Sequence, residues 1–300
     1  MFGGSPANEL PSDNARHAPM RRFLSNSAGH EYGEQALGRT RDSLPRSQFG
    51  ELYRYTVNSW INEFLRHDDP SRHLDYLARE DAIYRPLRPL IRDLQITPDL
   101  LRHLSHRNDL TPEQRRAMHA VMSDRNPLRR MSELRHNADF YYGMEQTFGT
   151  TPTMRVLEAH TRELDRALTR PLPERVEAIR GLRTVEFMTV DDLGTELGAA
   201  GSPHDLVGTI QTERSYISSS LGATPPPHFN HQYRLELDVP AGIPGIWMGA
   251  RSRFPDQREL VLPRGLRYRI VEVVENPQDA RYAGVKYVLR AVVIPPGAAE

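Results

Sequence analysis

The chain has 300 residues, enough for one large domain or two modest ones, with no cysteine and a formal net charge of zero. The lack of cysteine excludes disulfides, thiolate metal sites and cysteine nucleophiles, and the balanced charge argues against duplex nucleic acid as a partner. Hydrophobic residues make up 38% and mean hydropathy is −0.61, so part of the chain is expected to lie outside any core, and no apolar run is long enough to span a bilayer.

Residues 1–48 are rich in Gly, Ser, Pro and Asn and show no usable hydrophobic period, as in Met1-Phe2-Gly3-Gly4-Ser5-Pro6 and Ser25-Asn26-Ser27-Ala28-Gly29. Such a segment is expected to be a disordered leader, of a composition that also fits a non-cleaved secretion signal. From 49 to 170 the pattern is helical. Leu52, Tyr55, Trp60, Ile61, Phe64 and Leu65 form one stripe, and Leu87, Leu90, Ile91 and Leu94 form a second that halts before Pro98. Thr111-Pro112-Glu113-Gln114 predicts a capped helix start carrying Met118, Val121 and Met122 inward, and Thr151-Pro152 opens another with Met154, Leu157, Leu164 and Leu168 on one face. His67-Asp68-Asp69 and His73 lack the spacing of a known metal motif, and no metal is expected.

Pro171-Leu172-Pro173 ends the helical pattern, and β-type runs follow over 176–180, 215–218, 233–239, 246–248, 267–274 and 286–294. Tyr233, Leu235, Leu237 and Val239 alternate with polar residues, as on a half-buried strand, and Val292-Val293-Ile294 suggests a stretch covered on both faces. Helices first and strands afterwards make an α+β chain, divided into a leader (1–48), a helical lobe (49–170) and a β core (171–300).

Three polar groupings sit at the ends of these strands. Arg180-Gly181 closes the first, Ser218-Ser219-Ser220 follows Tyr216, and Gln257-x-Glu259 opens a strand after Arg253-Phe254-Pro255. In an extended chain Gln257 and Glu259 would project together while Arg258 points away. Taken singly, each grouping also suits a surface or capping role. Together, and in this order, residues 172–298 resemble the catalytic core of bacterial mono-ADP-ribosyltransferase toxins and effectors of the Arg–Ser–Glu class, which carry Arg-Gly, aromatic-x-Ser-(Thr/Ser)-Ser and (Gln/Glu)-x-Glu motifs. Ser219 stands where threonine is commoner. The resemblance implies an α+β fold with an N-terminal helical lobe packed on a mixed, mainly antiparallel β-sandwich core.

The same resemblance implies that NAD is the substrate, with no metal. Breaking the nicotinamide–ribose bond builds positive charge on the ribose, and Glu259 would be the carboxylate that stabilises it. Arg180, beside Gly181, would hold NAD phosphate oxygens, Ser218 would position Glu259 and the ribose, and Ser220 and Phe229 would complete the NAD-binding set. His228 is an alternative to Phe229 in the loop from Leu221 to His231. Gln257, with Phe254, would choose the acceptor. Glutamine at this place resembles the exoenzymes that modify an amide of Rho-type GTPases, since an amide cannot act as a base toward a guanidinium. The expected partner is a host protein, such as a small GTPase modified at Asn or Gln, met by a monomeric, secreted protein delivered to the host cytosol without stable membrane insertion. Hydrolysis of NAD by the same site, or a silent fold used as an interaction module, are the alternative readings.

Overall fold

The computed structural model describes residues 19–58 and 60–297. The chain divides into two compact units, one running from residue 58 to 161, the other joining residues up to 57 with those from 162 onward.

The first of these is helical: α4 (Trp60–Arg66), α5 (Pro70–Tyr84), α6 (Arg88–Ile91), α7 (Pro98–Ser105), α8 (Pro112–Met122), α9 (Pro127–Phe148) and the start of α10 (Met154–Ala167). Four of these helices begin in the same way. Asp69, Thr97, Thr111 and Asn126 each accept a backbone N–H three residues on, and each is followed by a proline at the first helical position. The cap satisfies one orphan donor, and the proline has none to leave unsatisfied. The capping box expected from Thr111 and Gln114 is formed in both directions. Leu87, Ile91, Leu104, Val121, Met131 and Leu134 fill the core of this unit, while Leu94 and Met122, expected inside, lie beyond or at their helix ends and are exposed. Arg130 grips Glu80 through two hydrogen bonds of 2.6 and 2.8 Å, tying α9 to α5 and consuming part of the basic run 125–130.

The second unit carries an eight-stranded sheet, β1 (Val176–Leu182), β2 (Ile210–Glu213), β3 (Ile217–Ser220), β4 (Tyr233–Val239), β5 (Ile246–Trp247), β6 (Glu259–Leu262), β7 (Leu266–Glu275) and β8 (Tyr287–Ile294). Their spatial order is β2-β7-β8-β4-β1-β3-β6-β5, antiparallel throughout except for the β4/β8 pair. The ladder is uneven. β1 pairs with β4 over the seven positions from Val176↔Val239 to Leu182↔Tyr233, yet it meets β3 through Ile179↔Ser220 alone. The sheet therefore falls into a five-stranded and a three-stranded part joined at one point. Val176, Ile217, Leu237, Leu260, Leu262 and Val293 are among the residues packed between its faces and its covering segments. Val292 and Ile294 are only half-buried while Val293 is buried, so the run at 292–294 alternates and is not covered on both faces.

Residues 19–48 do not behave as a leader. Ser25 caps α1 (Asn26–Tyr32), which continues through a π-helical turn (Gly33–Leu37) into α2 (Gly38–Asp42), with α3 (Arg46–Val57) following. Phe23, Tyr32 and Leu37 belong to the same core as the strands, so the boundaries expected at 48/49 and 170/171 are displaced to 57/58 and 161/162. The part of the expected leader spanning 1–18 lies outside the described residues. Among the described residues no helix is long and apolar enough to cross a membrane.

Candidate active site

The single point joining β1 to β3 puts Arg180, Gly181, Ser218, Ser220 and Glu259 on neighbouring strands. Ile179 pairs with Ser220, and Ser220 in turn with Glu259 on β6. The β1/β3 ladder stops there, so the strands part where Arg180 and Gly181 lie on one lip and Ser218 on the other. Backbone groups at such a split are not consumed by the sheet and can meet a ligand.

On the β3/β6 lip, Ser218 Oγ donates to Glu259 Oε1 at 2.5 Å. Glu259 is only 3% exposed, and its other oxygen, Oε2, is buried without a hydrogen-bond partner. Burial pushes its pKa up to about 7, against the downward pull of the Ser218 hydrogen bond. Strand alternation places Ser219 on the opposite side, where its hydroxyl donates to Leu260 O at 2.9 Å, so the threonine-for-serine difference falls off the site. Behind the strand, Tyr216 is fully buried and donates to Asp165 Oδ1 at 2.7 Å, and Arg264 holds the same carboxylate at 2.8 Å.

On the β1 lip, Arg180 lies 3.5 Å from Glu213 at the end of β2. Glu213 also accepts from Ser215 Oγ at 2.5 Å. Gly181 is required by close approach: a Cβ there would lie 1.5 Å from the Phe229 carbonyl oxygen. The turn Pro227–Phe229 thus passes directly against Gly181, with Phe229 45% exposed.

The turn before Glu259 departs from the extended geometry expected. Pro255–Gln257 is a 3₁₀ turn and Arg258 adopts a left-handed conformation (φ 48°, ψ 49°), so the strand begins at Glu259 and the alternation argument does not reach Gln257. Phe254 starts this turn, 44% exposed, with its carbonyl accepting the Gln257 N–H at 3.0 Å. Arg258 is buried. The whole segment is a hairpin loop between β5 and β6, closed by the Met248 N–H donating to Glu259 O at 2.9 Å.

Sequence reasoning missed three supports. Glu213 sits on a short polar strand, Gln-Thr-Glu after Ile210, that offers little period to detect. Asn26 Oδ1 accepts the Thr224 N–H at 3.0 Å, and Gly29 packs so closely that a Cβ would meet Leu221 O at 2.4 Å. Glu34 accepts from Trp247 Nε1 at 3.0 Å, from Ala250 N–H at 2.9 Å and from Arg41. The Ser25 cap was the readable signal for these helices. Elsewhere, Glu63, His67 and His73 place ligand-type atoms within 4.8 Å of one another, and a cavity of about 360 Å³ is lined by residues that include Arg85, Thr111 and Gln114. Both belong to the helical unit and contain none of the predicted site residues.

Helices followed by a mixed, mainly antiparallel eight-stranded sheet make the α+β fold of an ADP-ribosyltransferase core. The ADP-ribosyltransferase exoenzyme family matches residues 107–293, and the chain belongs to that family. It is an NAD-dependent mono-ADP-ribosyltransferase with NAD as its substrate. The match begins well before the strands, so the family pattern takes in α8 and α9 as well as the sheet. No curated protein sequence matches the chain. Among solved structures, the fold is similar to Plx2a, an ADP-ribosyltransferase toxin from Paenibacillus larvae (16% identity, 91% of this chain and 98% of that one, TM-score 0.50). It is also similar to C3stau2 from S. aureus with NAD (15% identity, 92% and 99%, TM-score 0.50). A third is the ADP-ribosylating toxin BECa of a binary enterotoxin of C. perfringens with NADH (13% identity, 92% and 50%, TM-score 0.50).

Proposed function

We propose that the cleft between the two parts of the sheet cleaves NAD and passes ADP-ribose to an amide side chain of a host protein, with Glu259 as the catalytic carboxylate. The observation that carries this reading is the Ser218–Glu259 pair: one carboxylate oxygen is fixed by Ser218, and the other is buried with no partner at the split. A buried acceptor left unsatisfied is costly, and a ribose hydroxyl would satisfy it. As the bond between ribose C1′ and the nicotinamide nitrogen lengthens, positive charge grows on the ribose, and the Glu259 carboxylate beside it stabilises that charge. Neutral nicotinamide leaves. The acceptor nitrogen forms the new bond to C1′ and gives up one proton, which Glu259, whose pKa lies near neutrality, is able to take.

Arg180 holds a phosphate of NAD, turning from or sharing its contact with Glu213, which keeps the guanidinium aimed across the lip beforehand. Gly181 lets the Phe229 turn lie flat against that lip, and Phe229 covers the cofactor beside Ser220. Phe254 and Gln257 face the acceptor. Gln257 pairs with an amide and has no basic form at neutral pH to receive a guanidinium proton, which favours Asn or Gln over Arg, with a small GTPase as the protein class. The chain acts after secretion, inside the host.

The test is labelled NAD with a eukaryotic cell lysate, followed by mass spectrometry of the modified residue. Wild type is expected to label an Asn or Gln, and Glu259→Gln to lose at least about a hundredfold in rate while staying folded. Wild-type turnover by folded Glu259→Gln would sink the catalytic assignment. A map of modified arginines alone would sink the acceptor assignment.

A further inference from the structure

Arg258 lies between the two residues of the Gln-x-Glu pair and is only 8% exposed. Its hydrogen bonds run to main-chain carbonyls. Nη1 donates to Asp256 O at 2.7 Å, Nε to Leu221 O at 3.1 Å, and Nη2 to Thr224 O at 2.7 Å. Its own carbonyl accepts the Leu221 N–H at 3.0 Å. Asp256 is thus one end of the grip, in the acceptor turn, and Leu221 and Thr224 are the other, in the loop that follows Ser220. A guanidinium spent on neutral carbonyls in a buried place gives up hydration without an ion pair in return, and the left-handed backbone adds strain for a residue with a Cβ. Both costs are incurred at the residue next to Glu259.

The same loop is held from its other side. Arg234, 1% exposed, donates from Nη2 to Ala223 O at 2.8 Å, and Asn26 accepts the Thr224 N–H. Leu221, Ala223 and Thr224 thus each present a carbonyl to a buried arginine. Arg234 anchors the loop to the sheet, whereas Arg258 alone of the two also grips the acceptor turn.

We propose that Arg258 is a positioning residue that locks the acceptor turn 254–257 to the loop 221–224, so that the ribosyl cation formed beside Glu259 meets the protein acceptor before it meets water. This rests on the function proposed above. It assigns to Arg258 the partition between transfer and hydrolysis, a property that neither Glu259 nor Gln257 fixes alone.

Arg258→Asn removes the guanidinium while keeping a residue that tolerates the left-handed backbone, and Arg258→Lys keeps the charge but offers one point donor in place of a fork. Two readouts are needed. Hydrogen exchange of the full-length protein without NAD is expected to quicken together in peptides covering 221–229 and 252–258, by about tenfold or more in Arg258→Asn and less in Arg258→Lys. With labelled NAD and a eukaryotic lysate, the ratio of labelled protein to free ADP-ribose is expected to fall by about tenfold or more in Arg258→Asn, with Arg258→Lys between it and wild type. A residue that only stabilised the fold would lower transfer and hydrolysis by one factor and leave their ratio alone. Unchanged exchange in either segment of a folded variant, or an unchanged ratio, would overturn the proposal. The exchange readout does not involve turnover, so it decides on the clasp even if Glu259→Gln proved active and the catalytic reading failed.

Discussion

Glu259 carries the conflict at the centre of this fold. Its side chain is held out of water with one oxygen satisfied, and its pKa of about 7 stands above the ordinary 4.5 because burial penalises the charged form. The folded state therefore binds a proton more tightly than the unfolded chain. Stability from this residue is fully present below pH 4.5 and is lost as pH rises through 7. A shift of that size corresponds to on the order of 3 kcal/mol at pH 8. Glu259→Gln has no charge to bury and keeps an amide that Ser218 can meet. Its melting temperature is expected to exceed that of wild type at pH 8, with the gap closing below pH 5. Thermal melts of both proteins at the two pH values check this, and a gap equal at both would show that the carboxylate does not titrate in that window. A site residue that destabilises its own fold in the working protonation state is a familiar trade of stability against activity.

At the scale of elements, the lips of the cleft are set by where pairing stops. Gly181 illustrates how little room the β1 lip has. A methyl group there would collide with the Phe229 carbonyl, a backbone atom that cannot swing aside as a side chain would. Gly181→Ala is expected to displace the 227–229 turn, destabilise the protein by about 1–3 kcal/mol and raise the KM for NAD. Gly50→Ala on α3, where a Cβ meets nothing within 4 Å, is the matched control and is expected to hold or slightly raise stability. Denaturant melts and NAD kinetics of the pair check both. Motifs made of neighbours in sequence were legible beforehand: Arg180-Gly181, the serine run and Glu259 could be read because each is local and their order is constrained. What pins them was not. Arg258 turns inward because a 3₁₀ turn and a left-handed residue replace the extended chain, and no periodicity announces that. Strand β3 also begins two residues later than its hydrophobic run suggested, since its pairing is dictated by β6, so that the hydroxyls themselves lie in the ladder.

For the molecule as a whole, the described part of the segment with the least hydrophobic pattern, residues 19–48, proves to be a structural member of the sheet unit. Residues 26–42 fold onto the edge of the three-stranded part, and Glu34 is their keystone. Burial works against its charge, yet hydrogen bonds from Arg41, the Ala250 N–H and Trp247 hold its pKa at about 2. This depressed carboxylate contributes stability above pH 4.5 that is lost as pH falls toward 2. Glu34→Ala is expected to cost about 2–4 kcal/mol at neutral pH, with the difference from wild type shrinking below pH 4, as denaturant melts across that range would show. The same edge has a wider consequence. The loop proposed to face the acceptor is the connection of a terminal hairpin, entered from a strand of two residues and left at Glu259, and its ties elsewhere include Arg258, the Glu34 contact to Ala250, Arg41 to the Met248 carbonyl and the Arg251–Asp42 ion pair. Its interior positions, 251–257, can therefore diverge in sequence or length without breaking a single rung of the ladder that holds Ser218 against Glu259. On the function proposed above, descendants of one NAD-cleaving scaffold acquire new protein targets by changing this one loop, while Glu259 at its end keeps the chemistry fixed.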